Sequence, residues 1–439
     1  MSLPWTNKEV VHLLLRAGFG ATQEEIAACV AYGREETVRR LIAGESLLTQ
    51  ASVLIPFDQL TADGKKALDP MQLADQQMYW LYRMVNSDAP LVEKMTLFWH
   101  GHFATANYKV NDVALMVQQN ALFRKFALGN FQDLLLAISK DPAMMIWLDV
   151  NRNKKGKPNE NYAREVMELF TLGIGHYTEN DVKEAARAFT GWTYDKKDNT
   201  VAFNQKQHDN DMKQLLGEKG NLDSEAAIDI IVHQKTLSTF LATKLLKYFA
   251  ADNPSESWVQ QVAAQIVNKA TIGEVLQELF LSDEFYEEKW RMALIKTPAD
   301  YVAGILKSLK ITVSKGHAQA MRKMGQELYS PPDVAGWRGG ASWLNTNTLL
   351  ARYQFAESIA KQMNLKVLAS PDFTPQQADR SEAWVKLWSQ RIDVTNLSDK
   401  TLAGLSAYAE DTIVHTKQKN SGLRGLLQLV LISPEAQMK

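Results

Sequence analysis

The chain has 439 residues, and its 49 Lys plus Arg against 50 Asp plus Glu leave a formal net charge of -1. Such a balance exerts no global pull on nucleic acid or acidic membranes, so no nucleic-acid partner is expected. A hydrophobic fraction of 46% excludes disorder over most of the chain, and a single cysteine, Cys29, excludes an intrachain disulfide and any Cys-based metal site.

The opening Met1-Ser-Leu-Pro-Trp-Thr6 has no basic n-region and no apolar h-region. A cytoplasmic location is therefore expected for the chain as written. A periplasmic or exported one is the alternative if a leader was removed. Thr6 with Glu9, and Thr22 with Glu25, carry the capping-box spacing of helix starts. Between them Val10, Leu13, Leu14 and Ala17 form an apolar stripe that Gly18 stops. Helical periodicity continues at Met71–Val85, Leu91–Trp99 and Val113–Leu128. It returns at Asp223–Val232, Thr236–Phe249, Trp258–Asn268, Thr271–Leu281 and Pro298–Leu309. Asn345–Met363, Thr401–His415 and Ser421–Ile432 close the series.

Only Trp192–Phe203, alternating around an Asp-Asn turn, suggests strands, as a hairpin. No run approaches the roughly 20 apolar residues of a membrane span. No glycine-rich phosphate-binding motif is present, so nucleotide binding through those motifs is not expected. The expected class is all-α: one large multi-helix body with a small β-hairpin and a rigid Gly/Pro/Trp-rich loop. The polar stretch Ser370–Glu382 is the expected weak point. It divides a main helical domain, 1–369, from a C-terminal helical subdomain packed on it, 370–439.

The chemistry-bearing residues crowd into one band. Trp99-His-Gly-His-Phe103 closes a helix, where His100 and His102 lie about 200° apart and converge only if Gly101 ends it. Such a pair could bind a metal. The plainer reading is two core or capping histidines. Asp149, Asn151, Asn153 and Glu160 fall at positions 1, 3, 5 and 12 of a calcium-type loop. Lys154 stands where glycine is needed, and four cations would repel the ion, so a basic or simply solvated loop competes.

Pro158 and Gly173 frame a helix of about four turns. Asn161, Arg164, Glu165 and Glu168 share one of its faces, at i, i+3, i+4 and i+7. A solvated face would mean only surface pairing. A buried one requires partners for Arg164 and allows paired carboxylates to act as general acid and base. Thr178 with Asp181 starts the next helix, which carries Arg187 and leads to Trp192. His208-Asp209 with Lys213 follows the hairpin, either as a functional pair or as a polar loop. Gly325–Asn345, with Trp337 and Trp343, specifies a rigid irregular loop. Its tryptophans could stack on a ligand, or the loop could simply close the core.

Several of these segments, in this order, resemble a large bacterial family known as domain-of-unknown-function family 1800. The matching stretches are His12–Gly20, Phe98–Phe103, Pro158–Gly175, Tyr177–Trp192, His208-Asp209, Ile295–Pro298, Met324–Trp343 and the closing Ser433-Pro-Glu-Ala-Gln437. The resemblance implies one mainly helical domain and no established activity. It also implies a frequent neighbour, a sulfatase-like protein encoded nearby, as a partner.

Two functions compete. In the first, an enzyme of hydrolase type uses Glu165 or Glu168 as acid/base, with Asp209 among its catalytic residues and Arg164 as an anion clamp. His100, His102 and His208 then hold one divalent metal ion. Asn161, Arg187, Trp192, Lys213, Trp337 and Trp343 line its cleft. In the second, the chain is a non-catalytic helical binding or scaffold protein. There the Asn161–Glu168 helix is a buried network and the Trp-rich loop a docking surface. A haem with one axial histidine is a weaker third possibility.

Overall fold

The computed structural model describes residues 4–51, 53–62, 66–363, 380–394, 396–415 and 419–439. The architecture is mainly α, as the periodicity predicts. The start signals act as expected, with reciprocal capping boxes at Thr6/Glu9, Thr22/Glu25 and Thr178/Asp181, and two further boxes form at Thr271/Glu274 and Thr297/Asp300. Each satisfies backbone N–H groups that a helix N-terminus leaves without partners.

The helix Pro90–His102 runs through the middle of the body and is buried on nearly every side. Pro90 sits in its first turn, where a missing N–H costs nothing. It carries two charges into the interior. Glu93 is gripped by Arg83 and Arg124, each with Nε at 2.8 Å. Lys94 pairs with Asp300, whose other oxygen accepts from Lys439 Nζ at 2.7 Å. Arg16, fully buried beside them, donates to the carbonyls of Phe249, Ala250, Trp290 and Lys439.

The hairpin forms with Trp192–Asp195 against Thr200–Phe203, Trp192 opposite Phe203. Two further hairpins carry no such signal in the sequence. Lys213–Leu215 pairs with Glu218–Gly220, and Thr61–Ala62 with Lys66–Ala67. The former turns on Leu216 and Gly217, both at positive φ, as a tight two-residue hairpin turn requires. Its strands are too short to show alternation, and Leu216 is a poor advertisement for such a turn.

Most of the polar stretch at 370–382 lies outside the described residues. Beyond it, Ser381–Arg391, Asp399–Ala409 and Lys419–Ile432 are helices. Lys419–Ile432 packs along Thr346–Gln362. Contacts run across residue 369 elsewhere too. Asp393 Oδ2 accepts from Ala21 N and Ser308 Oγ, Arg352 donates to Gln437, and Ile295 pairs with Met438 in an antiparallel bridge. No described helix is long and apolar enough to cross a membrane.

Candidate functional site

The framed helix differs from the expected four regular turns. It begins at Asn161 rather than Pro158, is α-helical only to Glu165, and continues over Val166–Thr171 as a π-turn. Thr171 Oγ1 donates to Val166 O at 2.5 Å, and Leu172 N and Gly173 N both reach back to Met167 O. The hydroxyl competes for a carbonyl that the regular ladder would use. π-turns of this kind are rare and recur at functional sites.

Asn161 is exposed, while Arg164, Glu165 and Glu168 are half-buried. Arg164 reaches neither Glu165 nor Glu168. Its guanidinium grips Glu179 with two bonds of 2.8 Å and Glu160 at 3.2 Å. That bidentate pairing occupies the group cast as an anion clamp. Glu168 accepts from Tyr177 Oη at 2.6 Å. Glu165 has no ion-pair partner within 4 Å among the described residues, and burial, then the charge of Glu168, pushes its carboxyl above the ordinary glutamate range.

The two histidines diverge, because the helix continues through Gly101 to His102. His100 lies among Trp80, Phe123, Tyr329 and Trp337. Burial lowers its pKa to about 3. His102 packs against Phe98, Trp99, Phe103, Phe131, Phe170 and Phe240. Its Nε2 lies 3.0 Å from Phe170 O, so that nitrogen carries the proton. Burial and the nearby Lys244 charge hold the ring neutral. Among the described residues no three His, Cys, Asp or Glu side chains stand close enough to hold a metal together. His100, His102 and His208 are not brought into one such group among the described residues. The calcium-type loop also disperses its ligands. Asp149 pairs with Lys109, Asn151 accepts from Tyr194 N, Asn153 donates to Ala186 O, and Glu160 pairs with Arg164.

His208, Asp209, Arg187 and Lys213 do meet, in a cluster of their own. Arg187 Nε donates to Asp209 at 2.7 Å and its Nη1 to Glu184 at 2.9 Å. The contact with Arg187 holds the Asp209 carboxyl at about 2. Lys213 Nζ donates to Asp209 O at 2.5 Å, and His208 Nδ1 lies 2.9 Å from Thr190 O. Gly191, at φ +100, admits this packing, since a Cβ there would meet Phe203 and His208. Every strong donor is matched, so the cluster reads as a fastener of residues 204–216 onto the helix Glu179–Ala188.

The tryptophans face different places. Trp192 donates to Ser224 Oγ at 2.9 Å, and Lys140 lies over its ring. Trp337 covers Gly101 and His100, while Trp343 is buried against Gly325. The Trp-rich loop therefore turns its rings inward, in line with a loop that closes the core and against the docking-surface alternative. Gly336 is required where the loop meets Gly101, because a Cβ would collide with the Gly101 carbonyl.

Sequence reasoning does not pick out Tyr177 or Lys244. Tyr177 opens the matching stretch Tyr177–Trp192, so its position is a usable signal. Lys244 lies inside an ordinary amphipathic helix, Lys235–Phe249, and nothing local marks it. Lys244 Nζ donates to Leu169 O at 3.3 Å, and burial lowers its pKa to about 8.

No curated protein and no solved structure matches the chain. One family model does, described as a protein of unknown function, DUF1800, and it covers residues 12–438. The chain belongs to the DUF1800 family over nearly its whole length.

Proposed function

We propose that the chain is a hydrolase-type enzyme whose acid/base groups are Glu165 and Glu168. One observation carries the reading. Glu165 is half-buried, has no ion-pair partner among the described residues, and has its pKa raised by burial and then by the charge of Glu168. A purely structural network would match that charge, as it matches Arg164 and Arg187. Perturbed, unpaired carboxyls gather where proton transfer is needed. Glu168, accepting from Tyr177, serves as the carboxylate that takes a proton from water. Glu165, whose carboxyl is held above the ordinary glutamate range, gives one to the leaving group.

Chromogenic ester, phosphate, glycoside and amide substrates, offered to wild type, Glu165→Gln and Glu168→Gln, test this. The expected result is one hydrolysed class, with turnover falling about 100-fold or more in each variant. Turnover that survives both substitutions, or none on any class, refutes it.

The scaffold reading is favoured by a different observation. Arg164, Arg187, Asp209 and Lys213 are all engaged by protein partners. Under that reading, Arg187→Met loosens residues 204–216 and weakens partner capture without any catalytic consequence.

A further inference from the structure

We propose that Lys244 and His102 are positioning residues that fix the geometry of the Glu165–Glu168 pair by gripping the end of the helix that carries it. The inference rests on the acid/base reading of that pair. A helix leaves its last carbonyls without partners. Here two of them are taken up from neighbouring helices. Lys244 Nζ of Lys235–Phe249 bonds Leu169 O at 3.3 Å, and His102 Nε2 of Pro90–His102 faces Phe170 O at 3.0 Å. A cation at that end is also favoured by the helix dipole.

The grip is reinforced on both sides. Phe240, one turn before Lys244, lies beneath its ammonium at 4.9 Å. The same ring lies against Gly173, which takes φ +83 two residues past the end of the π-turn. His102 is locked by the aromatic rings around it, and its neutral ring keeps the Nε2 proton aimed at the carbonyl. Glu168 lies inside the π-turn and Glu165 just before it, so the backbone that sets their spacing runs directly into the gripped end. Burial, then the Glu168 charge, raises the Glu165 pKa and the Arg164 charge lowers it, so a pair loosened at this end gives up the Glu168 part.

The test is carbon-13 NMR titration of the Glu165 carboxyl in the full chain. Wild type is compared with Lys244→Met, Lys244→Arg, His102→Phe and His102→Gln. Lys244→Met and His102→Phe are expected to lower the proton affinity of Glu165 about three-fold or more. The donor-retaining Arg and Gln variants are expected to return it to within about two-fold of wild type. Removing the Lys244 charge alone would raise that affinity, so the direction separates the two effects. An unchanged titration in Lys244→Met and His102→Phe, with only a lower melting temperature, overturns the proposal. If Lys244→Met does not fold, the His102→Phe and His102→Gln pair decides it alone. Glu165-dependent hydrolysis with an unmoved titration sinks the positioning role. A shifted titration without hydrolysis on any substrate class sinks the acid/base reading and leaves the positioning geometry standing.

Discussion

Replacing Asp300 by asparagine should be among the most damaging single changes in this chain. Asp300 is the shared anion of two ammonium groups, and the side chains of Lys94, Asp300 and Lys439 are 0%, 4% and 3% exposed. The two lysine charges hold the Asp300 carboxyl far below the usual range despite its burial. The amide introduced by Asp300→Asn would keep the shape but leave both buried lysines without a counter-charge. Breaking a buried pair from one side costs roughly 3–5 kcal/mol. Lys439, whose pKa burial lowers to about 7, can shed its proton and relieve part of this, so about 4 kcal/mol is expected. Unfolding entropy of about 2.1 cal/mol/K per residue gives roughly 0.9 kcal/mol/K for this chain, so the melting temperature should fall by about 4 °C. Differential scanning calorimetry at pH 7 measures it. The sign with pH follows from the depressed pKa: the stabilisation is present above the unfolded carboxyl's titration and is lost as pH falls through the folded one. A variant that melts within about 1 °C of wild type would refute the account of the cluster.

Glu165→Gln should leave stability unchanged or raise it at pH 7, since a raised carboxyl pKa means the charged form is held at a cost that grows as pH rises from the unfolded carboxyl's titration through the folded one. Chemical denaturation of the variant at pH 5 and pH 8 checks this, and a loss of several kcal/mol would show a hidden partner. Gly336→Ala should cost about 2 kcal/mol or more, because the position combines positive φ with a backbone collision at Gly101, and a melting curve reads it. Truncation after residue 363 should abolish cooperative melting of the remainder. It removes Lys439 from Asp300, Asp393 from Ala21 and Lys419–Ile432 from Thr346–Gln362. A single sharp transition in the truncated chain would instead favour two separable units.

What the sequence disclosed depended on whether the partners were local. Capping boxes act over three residues, so Thr6/Glu9 and Thr178/Asp181 were legible, as was the Trp192–Phe203 hairpin. The His-x-His motif was visible, but its meaning turned on where the helix stopped, and Gly101 did not stop it. Arg164 was visibly in need of a partner, yet its choice of Glu179 over Glu165 depends on how two helices meet. The Lys94–Asp300 pair joins residues 206 apart, and nothing near Lys94 announces it. The π-turn escaped for a subtler reason. Its apolar spacing is that of a regular helix, and the departure comes from a buried Thr171 hydroxyl and from carbonyl partners on other helices.

The proposed chemistry requires Glu165 and Glu168 to act as an interacting carboxylate pair. Carbon-13 NMR titration of the Glu165 carboxyl in wild type and in Glu168→Gln tests it most directly. A Glu165 midpoint above the ordinary glutamate value of about 4.3 is expected in wild type, falling when the Glu168 charge is removed. A Glu165 that titrates normally, or that ignores the loss of Glu168, would contradict it.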